Sequence, residues 1–330
     1  MATLLTVPRE LRDQILGYVI ESHQNTAPEL DQTFEEMTQP RKILENPRLG
    51  SWCKVVLSLP DNPIVNTTSL LLTNHQLHTE TLENIDLLHA REYDLDIVIL
   101  DEVIPLPTWT RVPLLTSSVD KVNVTIRIAG CYDNRKGRLR EHDGKSNPGL
   151  YTTKYDDYIG FRCGCGAGPA MGWQIYSILE RFIKAGPRGE VKTEDEHRHV
   201  TAKTIDINIV TPPDVDPASF EVPRSASPHR TQDAETTVLD PRYLAQFVSH
   251  DIFGLLAGGD VEWFQYGKIL YEHVDRVVVR LDGQDFREYD VAKRLRAVGN
   301  LDERYVSQDA LKEYKTVTWA KRRERGLQVL

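Results

Sequence analysis

Residues 121–128 read Lys-Val-Asn-Val-Thr-Ile-Arg-Ile, with an aliphatic side chain at every second position and a polar one between. Successive side chains of a strand point to opposite faces, so alternation this strict belongs to a sheet with one face buried and the other against water or a second layer. The same pattern returns at Ile205, Ile207 and Ile209, which alternate with Asp206 and Asn208, and at Val277, Val279 and Leu281. Residues 95–100 (Leu-Asp-Ile-Val-Ile-Leu) supply another strand. Helical patterns lie between and after them. Residues 170–185 put Ile175, Tyr176, Leu179, Phe182 and Ile183 at helical spacing and stop at Gly186-Pro187. Residues 240–256, 262–271, 287–298 and 308–325 give further helices. Strand, helix, strand in succession predicts an α/β fold, with α+β as its near alternative, on an open sheet of repeated helix-strand units. Val119-Asp-Lys-Val against Val274-Asp-Arg-Val, each opening an alternating strand, suggests one such unit used twice.

Two amphipathic patterns precede this body. In residues 4–20 (LLTVPRELRDQILGYVI), Leu11, Ile15, Leu16, Val19 and Ile20 form one apolar stripe, with Pro8 and Glu10 marking the helix start. Residues 67–85 carry Leu70, Leu77, Thr81 and Ile85 on one side behind a Thr67-Thr68-Ser69 run that can cap them. Here a resemblance emerges. Leu5, Val7-Pro8, Glu10-Leu11 and Ile15-Leu16 resemble the opening of an F-box, and Ser69-Leu-Leu-Leu-Thr-Asn-His-Gln-Leu-His-Thr-Glu-Thr81 resembles the helix that follows it in the F-box-like proteins of filamentous ascomycete fungi. Val7 stands in place of that family's Leu, and Asn74-His75 in place of its Cys-Arg. The resemblance implies a non-enzymatic protein-interaction module, the substrate-recognition subunit of a cullin-RING ubiquitin ligase. Leu5, Pro8, Leu11, Ile15 and Leu16 would face the ligase adaptor, and the body would face a substrate. The division is a helical head over residues 1–91 with an irregular insertion at 23–66 holding one strand, and a body over 92–330 with loop insertions at about 131–158 and 211–237.

Composition narrows the remaining options. A net charge of -9 and a pI near 5.6 argue against general nucleic-acid binding, which needs clustered positive charge. No run approaches the length of a membrane-spanning helix and the first ten residues lack the layout of a secretion signal, so a cytoplasmic or nuclear location is expected, with four cysteines as thiols. Cys163-Gly-Cys165 with His197-Arg-His199 offers four zinc-type ligands, but a Cys-x-Cys bite is tighter than structural zinc sites use. A pair of thiols and two exposed histidines is the simpler account. Gly164, Gly166 and Gly168 precede a helix and would turn amides toward a phosphate, yet GCGAGP fits neither nucleotide fingerprint and Pro169 removes an amide. An α/β ligand- or phosphate-binding protein or enzyme built on that turn is the rival reading, and a structural protein with a degenerate F-box is another. No serine, histidine or carboxylate pair stands in a catalytic pattern, so neither an enzyme nor a cofactor is expected. Lys321-Arg-Arg-Glu-Arg325 reads as the solvated last turn of a helix, with nuclear import or anion binding as alternatives.

Overall fold

The computed structural model describes residues 4–23, 25–32, 34–38, 41–44, 56–58, 65–87, 90–100, 102, 104–129, 161, 169–188, 199–222, 238–257, 261–299 and 306–329. After a 3-10 turn at Leu4–Thr6 comes helix α1, Arg9–Glu21, with Pro8 at its N-cap and Glu10 near the positive end of the dipole. The insertion, expected to hold one strand, holds a short helix α2 (Phe34–Thr38) and an antiparallel pair, β1 (Lys42–Leu44) with β2 (Val56–Ser58). The one helix expected over residues 67–85 is two, α3 (Asn66–Leu71) and α4 (His75–Asp86). Asn74 divides them. Its backbone is extended and its side-chain oxygen accepts the Leu77 N–H at 3.0 Å, so a fresh N-cap forms inside the apolar run.

The body runs β3 (Glu92–Leu100), β4 (Ile104–Arg111), β5 (Ser118–Ala129), α5 (Ala170–Ala185), β6 (Thr201–Ile209), β7 (Phe220–Glu221), β8 (Val238–Leu239), α6 (Pro241–Ala257), α7 (Val261–His273), β9 (Val274–Leu281), β10 (Gln284–Asp290), α8 (Val291–Ala297) and α9 (Gln308–Glu324). Six strands make the main sheet in the order β10-β9-β6-β5-β3-β4. β3, β5, β6 and β9 are parallel, and the hairpin partners β4 and β10 close the two edges antiparallel. Each parallel strand is added on the same side of the one before it. A sheet wound in one direction keeps its crossover helices on one face, because every right-handed crossover then passes over the same side.

That face is the core. Leu95, Ile97 and Ile99, Val122, Val124 and Ile126, Ile205, Ile207 and Ile209, and Val277 and Val279 form one cluster with Phe182 of α5, Val248 of α6, Leu270 of α7 and Leu295 of α8. Alternation in the sequence therefore did report a half-buried sheet. α7 crosses α6 at Gly267, where a Cβ would lie 1.9 Å from the Leu255 carbonyl oxygen, so only a hydrogen fits. Gly267→Ala is expected to lower the unfolding free energy by about 2 to 3 kcal/mol through forced separation of the helices. A urea midpoint equal to wild type would show that the crossing has slack.

Several expectations are corrected. The helix expected from residue 287 starts at Val291, because residues 284–290 are strand β10. Asp282 and Gly283, both with positive φ (51° and 77°), make the two-residue hairpin turn that puts it there. The loop expected at 211–237 contributes a 3-10 turn and β7, which pairs in parallel with β8; residues 223–237 and 131–158 lie outside the described residues. The echo between residues 119 and 274 is one of strands, since β4 rather than a helix precedes β5. Its trace is the register: Lys121 pairs with Thr204, and Thr204 with Arg276. Among the described residues no helix is long and apolar enough to cross a membrane.

The terminal basic run is not a solvated turn. Arg322 is fully buried, Lys321 pairs with Glu272 at 3.1 Å, and Arg325 donates to the Glu272 carbonyl and to His273. Of these cations Arg323 is exposed, while Lys321 and Arg325 are half-buried. The run fastens α9 to the α7–β9 junction, which leaves little of it for an import receptor or an anion.

Candidate functional site

Helix α1 is apolar over more of its circumference than the protein covers. At about 100° per residue, Tyr18, Leu11, Ile15, Val19, Leu16 and Ile20 span an arc of roughly 200°. Leu16 and Ile20 are wholly buried. Leu11, Ile15, Tyr18 and Val19 are 49%, 40%, 79% and 36% exposed. The helix thus has one apolar stripe facing in and an adjacent one facing water. Leu5 (43% exposed) and Pro8, just before the helix, are exposed as well. Of the five adaptor-facing residues expected from sequence, Leu5, Pro8, Leu11 and Ile15 stand at the surface. Leu16 is the correction: its position on the helix turns it inward, and it is wholly buried.

Of the twelve large hydrophobic side chains exposed among the described residues, eight lie between Leu5 and Leu87. Tyr18, Leu72 and Leu87 are the most open, at 79%, 80% and 73%. Exposure concentrated in the first 87 residues, with four such side chains among the described residues of the body, marks an interaction surface more than evenly scattered exposed leucines would.

Polar contacts hold this stripe in place. Arg12, buried beside it, donates from Nε and Nη2 to the two oxygens of Glu80 on α4, at 2.9 and 2.6 Å, and from Nη1 to the Val7 carbonyl. Bonding to Arg12 holds the Glu80 carboxyl down at about 2. Arg9 reaches Asp13 and Glu83, and Asn84 donates to Asp13 at 3.0 Å. The head is also fastened to the body: Arg111 of β4 pairs with Glu21 at 3.2 Å, Asn25 donates to the Trp109 carbonyl at 2.7 Å, and the Thr67 N–H to the Pro113 carbonyl at 3.3 Å. The exposed stripe and the sheet therefore keep a fixed spacing.

A second surface is the sheet face that the helices leave uncovered. At its β4 side, Pro28 and Arg41 lie over it: Arg127 donates to the Pro28 carbonyl at 2.8 Å, and buried Arg41 donates to the Pro107 carbonyl and Thr108 Oγ1, both at 2.8 Å. Burial lowers the Arg41 pKa to about 10. Toward β10 the face is an open groove of about 260 Å³ around Lys121, Thr204, Asp206, Arg276 and Arg280. Charge alternates by strand across this face. Arg111 meets Asp94 at 2.7 Å, Arg127 meets Asp96 at 2.8 Å, Asp206 takes both Lys121 and Arg280 at 2.8 Å, and Arg276 stands 3.6 Å from Glu288. Such cross-strand pairs let a polar face stay wet without excess charge. A phosphate or nucleic acid would have to displace carboxylates already bonded to those cations.

Cys163, Cys165, His197, Gly164, Gly166 and Gly168 lie outside the described residues. His199 is described, and it meets another histidine: its Nδ1 stands 3.2 Å from Nε2 of His273. His273 is 3% exposed, and its Nδ1 lies 3.1 Å from the Ile269 carbonyl, so the ring carries its proton there and Nε2 accepts from Arg325 at 2.8 Å. Among the described residues no group of three potential ligands is poised around a metal position. Burial, then Arg325 and His199, pushes the His273 pKa down to about 3. In the unfolded chain it titrates near 6.5, so between these values the unfolded state holds the extra proton and stability falls as pH falls. From pH 7.5 to 5 wild type is expected to lose about 2 kcal/mol more than His273→Gln, measured by urea unfolding. Parallel pH profiles would contradict the assignment. Comparison with family models, characterised proteins and solved structures found no match.

Proposed function

We propose that this protein is a non-enzymatic interaction module whose helical head docks on the small adaptor of a cullin-RING ubiquitin ligase, while its body offers a surface to a substrate. The observation that carries this reading is the exposed half of the α1 apolar arc, Leu11, Ile15, Tyr18 and Val19, with Leu5 and Pro8 before it. These residues recur at i, i+4, i+7 and i+8, the spacing with which an amphipathic helix enters a partner's groove. The F-box-like order of Pro8, Glu10-Leu11 and Ile15-Leu16 gives that partner its identity. Support from the body is geometric: a head fixed to the sheet would hold a bound substrate at a constant distance from the ligase.

The test is affinity capture from a filamentous fungal lysate with the folded wild type and with Leu11→Asp/Ile15→Asp. Adaptor and cullin are expected with the wild type and absent with the variant. Recovery of neither from wild type, or equal recovery from both, would overturn the reading.

A further inference from the structure

Buried polar groups without partners are rare enough that each calls for a physical account. Asp251 on α6 is one. Its Oδ2 is shielded from solvent and makes no hydrogen bond, while the residue as a whole stays partly open. α5 meets it with the bare backbone of Gly172, where a Cβ would lie 2.2 Å from Oδ2. Among the described residues no cation faces it, and burial pushes its pKa up to about 7. A carboxyl recessed in this way has its charge unbalanced by the described residues around it.

Its surroundings fit a particular kind of counter-charge. Phe247 and Tyr243 lie one and two turns before Asp251 on the same helix face. Phe161 packs across both rings, with centroids 4.8 Å from Phe247 and 5.8 Å from Tyr243. Glu102, 6% exposed and held at φ 61° in the β3–β4 turn, adds a second acid on this side. Burial, then Asp251 and Glu102, raises the Tyr243 pKa, which places both acids within electrostatic reach of its hydroxyl. Aromatic faces with an unpaired carboxylate are the surroundings that favour an organic cation, through ring quadrupole and charge together.

We infer that the junction of α5 and α6 is a binding site for an alkylammonium group, with Asp251 as its counter-ion and the rings of Phe161, Tyr243 and Phe247 as its apolar wall. This site is separate from the docking stripe and does not rest on the ligase reading. Binding requires Asp251 ionised, so below neutrality each cation bound releases one proton, and affinity falls about tenfold per pH unit. Among the described residues, Tyr243 on its own helix is coupled to the carboxyl, Glu102 acts on that same tyrosine, and α5 meets the carboxyl with the Gly172 backbone.

Isothermal titration of the full chain with n-butylammonium chloride at pH 6 and pH 8, at constant ionic strength, tests this. Binding is expected about tenfold tighter at pH 8, with one proton released per amine at pH 6. Asp251→Asn, checked for fold by circular dichroism, should lose at least about tenfold of the pH 8 affinity, and n-butanol should not bind. Nα-acetyl-lysine N-methylamide distinguishes sources: tighter binding than n-butylammonium identifies a lysine side chain of a protein, weaker binding a free amine. No saturable heat from either amine, or equal affinity in Asp251→Asn, overturns the site.

Discussion

Replacing Arg322 with alanine is expected to cost about 3 to 5 kcal/mol of stability, the range for removing one partner of a buried charge pair. Its guanidinium, fully buried, donates to the carbonyls of Tyr271, Val274 and Gln328 at 2.6, 2.9 and 2.8 Å, and to Asp275 at 2.7 Å. Asp275 also receives the Gln328 N–H at 2.7 Å, so one ion pair joins the end of α7, the start of β9 and the chain's last residues. Alanine would leave three carbonyls and a carboxylate without their donor. Burial lowers the Arg322 pKa and raises that of Asp275, so the pair already carries a desolvation cost that its hydrogen bonds offset. Arg323→Ala, one residue away in the same basic run but exposed, should change stability by no more than about 0.5 kcal/mol. Equal urea midpoints for the two variants would remove Arg322 from its structural role.

That contrast also shows where sequence stops informing. A basic run at a helix end looks the same whether it is solvated or clamped, because composition carries no record of what packs against it. The sheet was different. Alternation at residues 121–128 and 205–209 reports burial directly, since a register slip of one residue would turn every aliphatic side chain to water. β4 escapes this signal: Pro105 and Pro107 read as loop, yet an edge strand tolerates prolines because its outer edge needs no donors. β10 escapes for the opposite reason, being an exposed edge of mostly charged residues with no apolar period, although the Asp282-Gly283 turn before it was a usable hairpin signal. In the head, the sequence located the apolar arc of α1 but not which part is covered; that depends on where α4 lies, and it removes Leu16 from the exposed set. Asp251 had no sequence signal, because a single carboxylate on an amphipathic helix is ordinary until its surroundings are known.

The second large effect concerns binding. Leu11 and Ile15 are nearly half exposed, so changing both to aspartate removes little buried contact and should alter unfolding free energy by no more than about 1 kcal/mol. Leu16→Asp, one position from Ile15 but wholly buried, should unfold the head. If the stripe enters a partner's groove, two carboxylates placed in that apolar contact must be desolvated without partners, and affinity should fall by about a hundredfold or more. Salt would not rescue it, since the loss is of apolar burial.

Equilibrium titration of the purified ligase adaptor into the wild type and into folded Leu11→Asp/Ile15→Asp tests this most directly. The account predicts saturable binding by the wild type and a Kd at least about a hundredfold weaker for the variant. An adaptor that fails to bind the wild type, or binds both with one Kd, would contradict it.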